Sequence, residues 1–253
     1  MKKVPFCIVC VLLLNTTLTS FSFSQQNSNY VSVVSSFKTK YPKSDIIGAE
    51  LKEEYTFNIN TNKNGETKIV SDETVSEMLV PMKDFLVSTD AVFYDEQSSV
   101  ENVHASSQKN KNIKLLQQCS DYLSEGIFYS DAKLCVIKIP LEEKGMAVNY
   151  SYSKHYKDVK YLTSVYFNED IPVEKKTVIF EVPDWLDVDL REYNFSGFDI
   201  KKNVEKDAAA KTTRYIYELK NIPALKKEDH SPNWAKSYPH IIVISKSYTD
   251  NGQ

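Results

Sequence analysis

Glycine is scarce in this chain: six among 253 residues, none in an arrangement that cradles phosphate. A nucleotide-binding loop is therefore not expected, and no cofactor is called for. Positive charge is not in excess. The 31 Lys and Arg stand against 34 Asp and Glu, a formal net charge of −3. No basic stripe is present to track a phosphate backbone, so nucleic acid is not an expected partner. Long apolar runs are missing too. The run Phe6 to Leu14 (FCIVCVLLL) falls well short of the ~20 residues that span a bilayer. No internal repeat is visible.

What is present at the N-terminus has the layout of a leader. Lys2 and Lys3 precede the apolar run, and Ser22 and Ser24 stand at −3 and −1 of a cleavage site before Gln25. Residues 1–24 are expected to be a signal peptide, and the protein to be exported to the periplasm or secreted. No membrane span is expected after its removal. Cys10 lies inside the apolar run rather than behind it, which argues against lipidation. Losing Lys2 and Lys3 leaves 29 basic against 34 acidic residues, 29 − 34 = −5. Of four cysteines, Cys119 and Cys135 remain. An exported compartment permits a disulfide between them, closing a loop worth roughly 3 kcal/mol in the chain-entropy model. Two unpaired thiols, with Cys135 buried in a strand, are the alternative.

Residues 25–44 are expected to hold a short helix. Tyr30, Val33, Val34, Phe37 and Tyr41 recur at three- and four-residue spacings before Pro42. From Asp45 the pattern is β. Asn64-Gly65 is the strongest hairpin signal, between Glu54–Asn60 and Thr67–Val80. Further strands are expected at 91–95, 100–105, 133–139, 146–154, 161–168, 174–182, 214–219 and 241–245. Met146, Val148, Tyr150 and Tyr152 share one face, and Tyr215, Tyr217 and Leu219 another. Residues 201–211 read as a hairpin excursion or a short helical turn. The fold class is mainly β, an antiparallel β-sandwich with a short N-terminal helix. Residues 45–246 form the sandwich and 247–253 a tail.

Three groups of residues are candidates for chemistry. Glu228, Asp229 and His230 stand together, but neighbours in an extended loop point apart. No Cys or second His sits at metal-ligand spacing, so a proline-fixed turn is the expected role. Cys119, in QQCSD, is the one candidate nucleophile. A helix over Ile113–Cys119 would place it at the C-terminal end, where the dipole disfavours a thiolate. His104 and His155 show no evident acid partner. No catalytic residue is assigned. Tyr150, Tyr152, Tyr156 and Tyr161 crowd two neighbouring strand candidates. They are candidate binding aromatics for a glycan or peptide, against cross-strand packing as the alternative.

Several phrases together resemble one family. They are YSDAKLCVIKIP (Tyr129–Pro140), EEKGMAVNYSYSKHY, VYFNEDIPVEKKTVIFEVP (Val165–Pro183), RYIYELKNIPALKKEDHSP (Arg214–Pro232) and the closing YPHIIVIS. Their order is similar to the domain of unknown function that precedes the catalytic core in bacterial exported transglutaminase-like proteins. Ile222-Pro223-Ala224, Glu228, Ser231-Pro232 and Pro239 match that family's ending, whereas Met146 departs from it. The resemblance spans Glu50 to Ser245. It implies a β-sandwich without catalytic residues of its own, and a transglutaminase-like or cysteine-protease-like partner. No glycine-led cysteine motif of the transglutaminase type occurs, so no Cys-His-Asp core is expected here. An accessory or interaction domain is the expectation.

Overall fold

The computed structural model describes residues 30–109, 111–122, 131–225 and 236–249, with side chains from Val34 onward. One helix, α1 (Tyr30–Lys40), precedes thirteen strands among the described residues. The first half holds β1 (Ile46–Thr61), β2 (Thr67–Pro81), β3 (Leu86–Tyr94), β4 (Ser98–Ser107), β5 (Leu116–Asp121) and β6 (Lys133–Leu141). β7 (Val148–Tyr156), β8 (Ser164–Tyr166), β9 (Val173–Pro183), β10 (Leu186–Tyr193), β11 (Lys201–Asp207), β12 (Thr212–Ile222) and β13 (His240–Tyr248) follow. With 64% strand and 6% helix, the protein is mainly β, as expected.

β1 and β2 are the longest strands, and their hairpin follows from its turn residues. Gly65 takes φ 80°, and Asn62 Oδ1 accepts from the amides of Asn64 and Glu66 at 2.9 and 3.0 Å. The seven-stranded sheet runs β11-β12-β9-β1-β2-β7-β4, antiparallel except where β1 lies parallel to β9. Two three-stranded sheets, β3-β6-β5 and β10-β13-β8, complete the fold.

Period-2 alternation sorts the side chains of the large sheet. Leu51, Tyr55 and Phe57 of β1 share a face with Val75 and Leu79 of β2, and with Val148, Tyr150 and Tyr156 of β7. On that face two cores form side by side. One joins Tyr55, Phe180 and Tyr217 to Val165, Ile241 and Val243 of β8 and β13. The other joins Leu79, Val148 and Tyr150 to Val92, Cys135, Ile137 and Ile139 of β3 and β6. Both small sheets thus cover the same face of the large one, and Tyr152 and Ile171 pack against both cores. On the opposite face, Val34 and Phe37 of α1 pack on Ile47, Val80, Met82 and Ala147. Beyond the helix, that face mixes polar residues such as Lys52, Glu54, Asp72 and Thr74 with Val70 and Ile179.

Three strands depart from expectation, and a fourth stretch takes one of two open alternatives. β5 replaces the helix considered over Ile113–Cys119. All six of its residues are exposed, so no alternation betrays it, and its ladder with β6 is a tertiary product. β10 went unexpected because LDVDLREY buries only Leu186. Residues 201–211 resolve as β11 and its turn into β12, the hairpin alternative. The strand expected over 161–168 is cut to Ser164–Tyr166 by a preceding 3-10 turn, Val159–Tyr161.

Candidate functional site: an ionic seam between the two small sheets

Between the two cores the covered face turns charged. Glu53 of β1, Glu73 and Glu77 of β2 and Lys176 of β9 stand in phase with the apolar residues on either side. Lys176 is 1% exposed. Its ammonium is 2.7 Å from Glu53 Oε1, 2.5 Å from Glu169 Oε1, and donates to the Tyr166 carbonyl at 2.7 Å. All three donors of the ammonium therefore have acceptors, which is what makes a buried charge tolerable. Tyrosine hydroxyls close the network on the β7 side. Tyr55 donates to Glu73 Oε1 at 3.1 Å and Tyr156 to Glu73 Oε2 at 2.9 Å. Tyr150 donates to Asp90 Oδ2 at 3.0 Å, linking the large sheet to β3.

The acids outnumber the cations, and burial makes that imbalance felt. Burial pushes the Glu77 carboxyl up to about 8, helped by the charges of Glu169 and Asp90 and opposed by Lys176. Glu169 is raised to about 7 by burial, against the pull of Lys176. Glu73 and Asp90 are also raised, chiefly by burial. Burial alone would lower Lys176, but Glu169 and Glu53 outweigh it and hold its ammonium above the ordinary value. Lys154, beside Glu73 and Asp95, is lowered by burial. At neutral pH the seam is thus a set of carboxyls that hold protons unusually well, around one fixed cation. Gly48 makes room for it: a Cβ there would meet Val173 Cγ2 at 2.9 Å and Glu77 Oε1 at 3.0 Å. No group of three or more His, Cys, Asp or Glu among the described residues is placed to hold a metal ion.

The structure relocates the candidate aromatics. Tyr150 and Tyr156 are buried, at 1% and 8% exposure, and spend their hydroxyls on Asp90 and Glu73. Tyr152 is half-buried between the cores, and Tyr161 is exposed in the 3-10 turn. The phase of β7 turns Tyr150 and Tyr156 inward, as in the cross-strand packing alternative, and the four tyrosines do not share one surface. Cys119 and Cys135 sit opposite each other on β5 and β6 and are joined as a disulfide. His155 does have an acid partner. Its Nδ1 lies 2.7 Å from Asp72 Oδ1 because β7 pairs with β2, 83 residues away in sequence. Ser99, in register with His155 on β4, donates to Glu101 instead. Glu228, Asp229 and His230 lie outside the described residues.

Sequence reading missed the seam, though a signal existed. A charged residue in phase with an apolar face, such as Lys176 among Val178 and Phe180, marks a buried ion pair.

Residues 91–226 match the model of a family described as a domain of unknown function with solved structure (DUF3857). The chain belongs to this family. The matched segment runs from β3 to just past β12, and so carries Lys176, Glu169 and the seam tyrosines of β7. A protein of Parabacteroides distasonis ATCC 8503, described as a "putative protease", shares the fold. Its TM-score is 0.56 at 16% identity, over 79% of this chain and 40% of that one. The chain therefore spans well under half the length of that protein. An M1 zinc metallopeptidase from Deinococcus radiodurans overlaps 79% of this chain and 42% of its own, at TM-score 0.39 and 7% identity. No curated protein matches the sequence.

Proposed function

We propose that the protein is an exported, non-catalytic accessory domain that works with a separately encoded transglutaminase-like or cysteine-protease-like protein. The family membership carries this reading, together with a fold shared with 40% of a longer protein whose description names a protease. In that longer chain the fold is one part of a larger whole. The chemistry of the seam fits the same role. Its hydroxyls donate to Glu73 and Asp90 and its ammonium to Glu53, Glu169 and the Tyr166 carbonyl, an arrangement suited to clamping two small sheets onto a large one. The cysteine that stood as a nucleophile is tied in a disulfide. The leader motif in residues 1–24 supplies the export, and the disulfide suits an oxidising compartment.

The test is association. The mature chain and a transglutaminase-like protein exported by the same cell are mixed at micromolar concentration and followed by sedimentation. A complex is the expected result. Two independent sedimenting species at every concentration would remove the reading.

A further inference from the structure

Among the described residues, the open edges of the three sheets differ in how they are protected. β11, at one edge of the large sheet, carries Lys201, Lys202, Glu205, Lys206 and Asp207. β4, at the other, is broken by a register shift between Glu101 and His104. β8 is three residues long, β10 carries Asp187, Asp189, Arg191 and Glu192, and β3 turns Asp90 inward. Charge, bulges and brevity are the usual guards against edge-to-edge pairing. β5 (LQQCSD) has one charge, Asp121, at its end, and every residue is exposed.

The direction of its free backbone groups follows from the ladder. The Tyr122 amide donates to the Ala132 carbonyl at 2.8 Å, extending the pairing with β6. Alternation in an antiparallel pair then directs Ser120, Gln118 and Leu116 toward β6, and Gln117, Cys119 and Asp121 away from it. On the outer face of this sheet, Leu116 is 62% exposed and Tyr122 41%. Tyr122 meets Phe93, itself half exposed, edge-on at 5.1 Å. Large apolar side chains thus stand at both ends of an unguarded strand.

We propose that a second copy of this chain pairs with β5, antiparallel about a two-fold axis through Cys119. In this register Gln117 lies opposite Asp121 of the second copy and Gln118 opposite Ser120. Leu116 falls opposite Tyr122, beside Phe93, and the same cluster repeats at the other end. The outward backbone groups of Gln117, Cys119 and Asp121 face their counterparts, giving about six interchain hydrogen bonds. No like charges meet, because the strand's one carboxylate faces a glutamine amide. A two-fold interface requires this kind of self-complementarity. β11 lacks it, with three lysines in seven residues. The disulfide to Cys135 holds β5 in place on its own sheet, so the edge is presented in order.

The experiment compares the mature chain with Leu116→Lys and Gln117→Pro by light scattering up to about 100 µM, where micromolar association is visible. Gln117→Pro removes an outward amide and leaves the β6 ladder intact. The expected result is twofold mass for the parent and monomer mass for both variants, with Val204→Lys on β11 still dimeric. A parent that stays monomeric, or a dimer that survives both variants, overturns the proposal. Hydrogen exchange on the unmodified chain gives an answer even if a variant misfolds. The amides of Gln117, Cys119 and Asp121 are expected to slow at least about tenfold between dilute and concentrated samples. Exchange independent of concentration counts against the pairing.

Discussion

The covered face of the large sheet holds two kinds of interior within a few strands. Under β10-β13-β8, Phe180, Tyr217 and Phe167 pack ring edge against ring face, and charge enters only at the rim, where Tyr217 donates to Glu192 and lies under Lys202. At the seam, one ammonium and several carboxyls take up the same kind of position on the same strands. Phe180 and Lys176 lie four residues apart on β9, both essentially unexposed. The apolar region owes its stability to area removed from water and to close packing, neither of which depends on pH. The seam owes its integrity to pairing, so its contribution changes with protonation. The lesson is that burial alone does not define a core. The phase of a strand decides which side chains go in, and the partners decide whether they are tolerated.

Breaking the seam should give the largest pH-dependent effect. Lys176→Met leaves Glu53 and Glu169 buried without their cation, a loss of about 3–5 kcal/mol at pH 7 by denaturant unfolding. The loss should shrink toward pH 5, where Glu169, held near 7 even beside its lysine, is protonated. Phe180→Ala should cost a similar 3–5 kcal/mol, equal at both pH values. If the two variants showed the same pH profile, the contrast between the regions would fail.

Smaller effects sharpen the comparison. Cys119→Ser with Cys135→Ser should cost about 2–3 kcal/mol, because β5 buries no side chain and depends on its bridge. Glu77→Gln works in the opposite direction. The Glu77 carboxyl is raised from 4.5 to about 8 in the fold, so its favourable contribution is complete below pH 4.5 and lost as pH rises through 8. The parent should therefore melt lower at pH 9 than at pH 5. Glu77→Gln should recover about 1–3 kcal/mol at pH 9 and flatten that slope in thermal scans. His155→Gln, on the solvent face, should change stability by no more than about 1 kcal/mol, since both its ring and Asp72 are partly exposed.

Much of the β structure was legible because its strands alternate and its first turn carries Asn-Gly. β2, β6, β9, β12 and β13 lie where they are expected to within a few residues, whereas β1 extends Glu54–Asn60 back to Ile46 and β7 starts at Val148, leaving Met146 outside it. β5, β10 and β11 were hard to read for one reason: strands that bury little have no pattern to show. The tyrosines of β7 were noticed in the sequence, but their role was not. Tyr150 and Tyr156 became partners of Asp90 and Glu73 only once β3 and β2 were brought against β7.

By itself the sequence determined the β class, the helix before it, the first hairpin and the phase of each well-patterned strand. These follow from local propensity and from hydrophobic periodicity, which neighbouring residues carry among themselves. Tertiary structure alone decided that two small sheets share one face, that β1 lies parallel to β9, and that Lys176 meets Glu53 and Glu169. Those pairings join residues far apart in the chain, and their energies exist only when water has been excluded from between them.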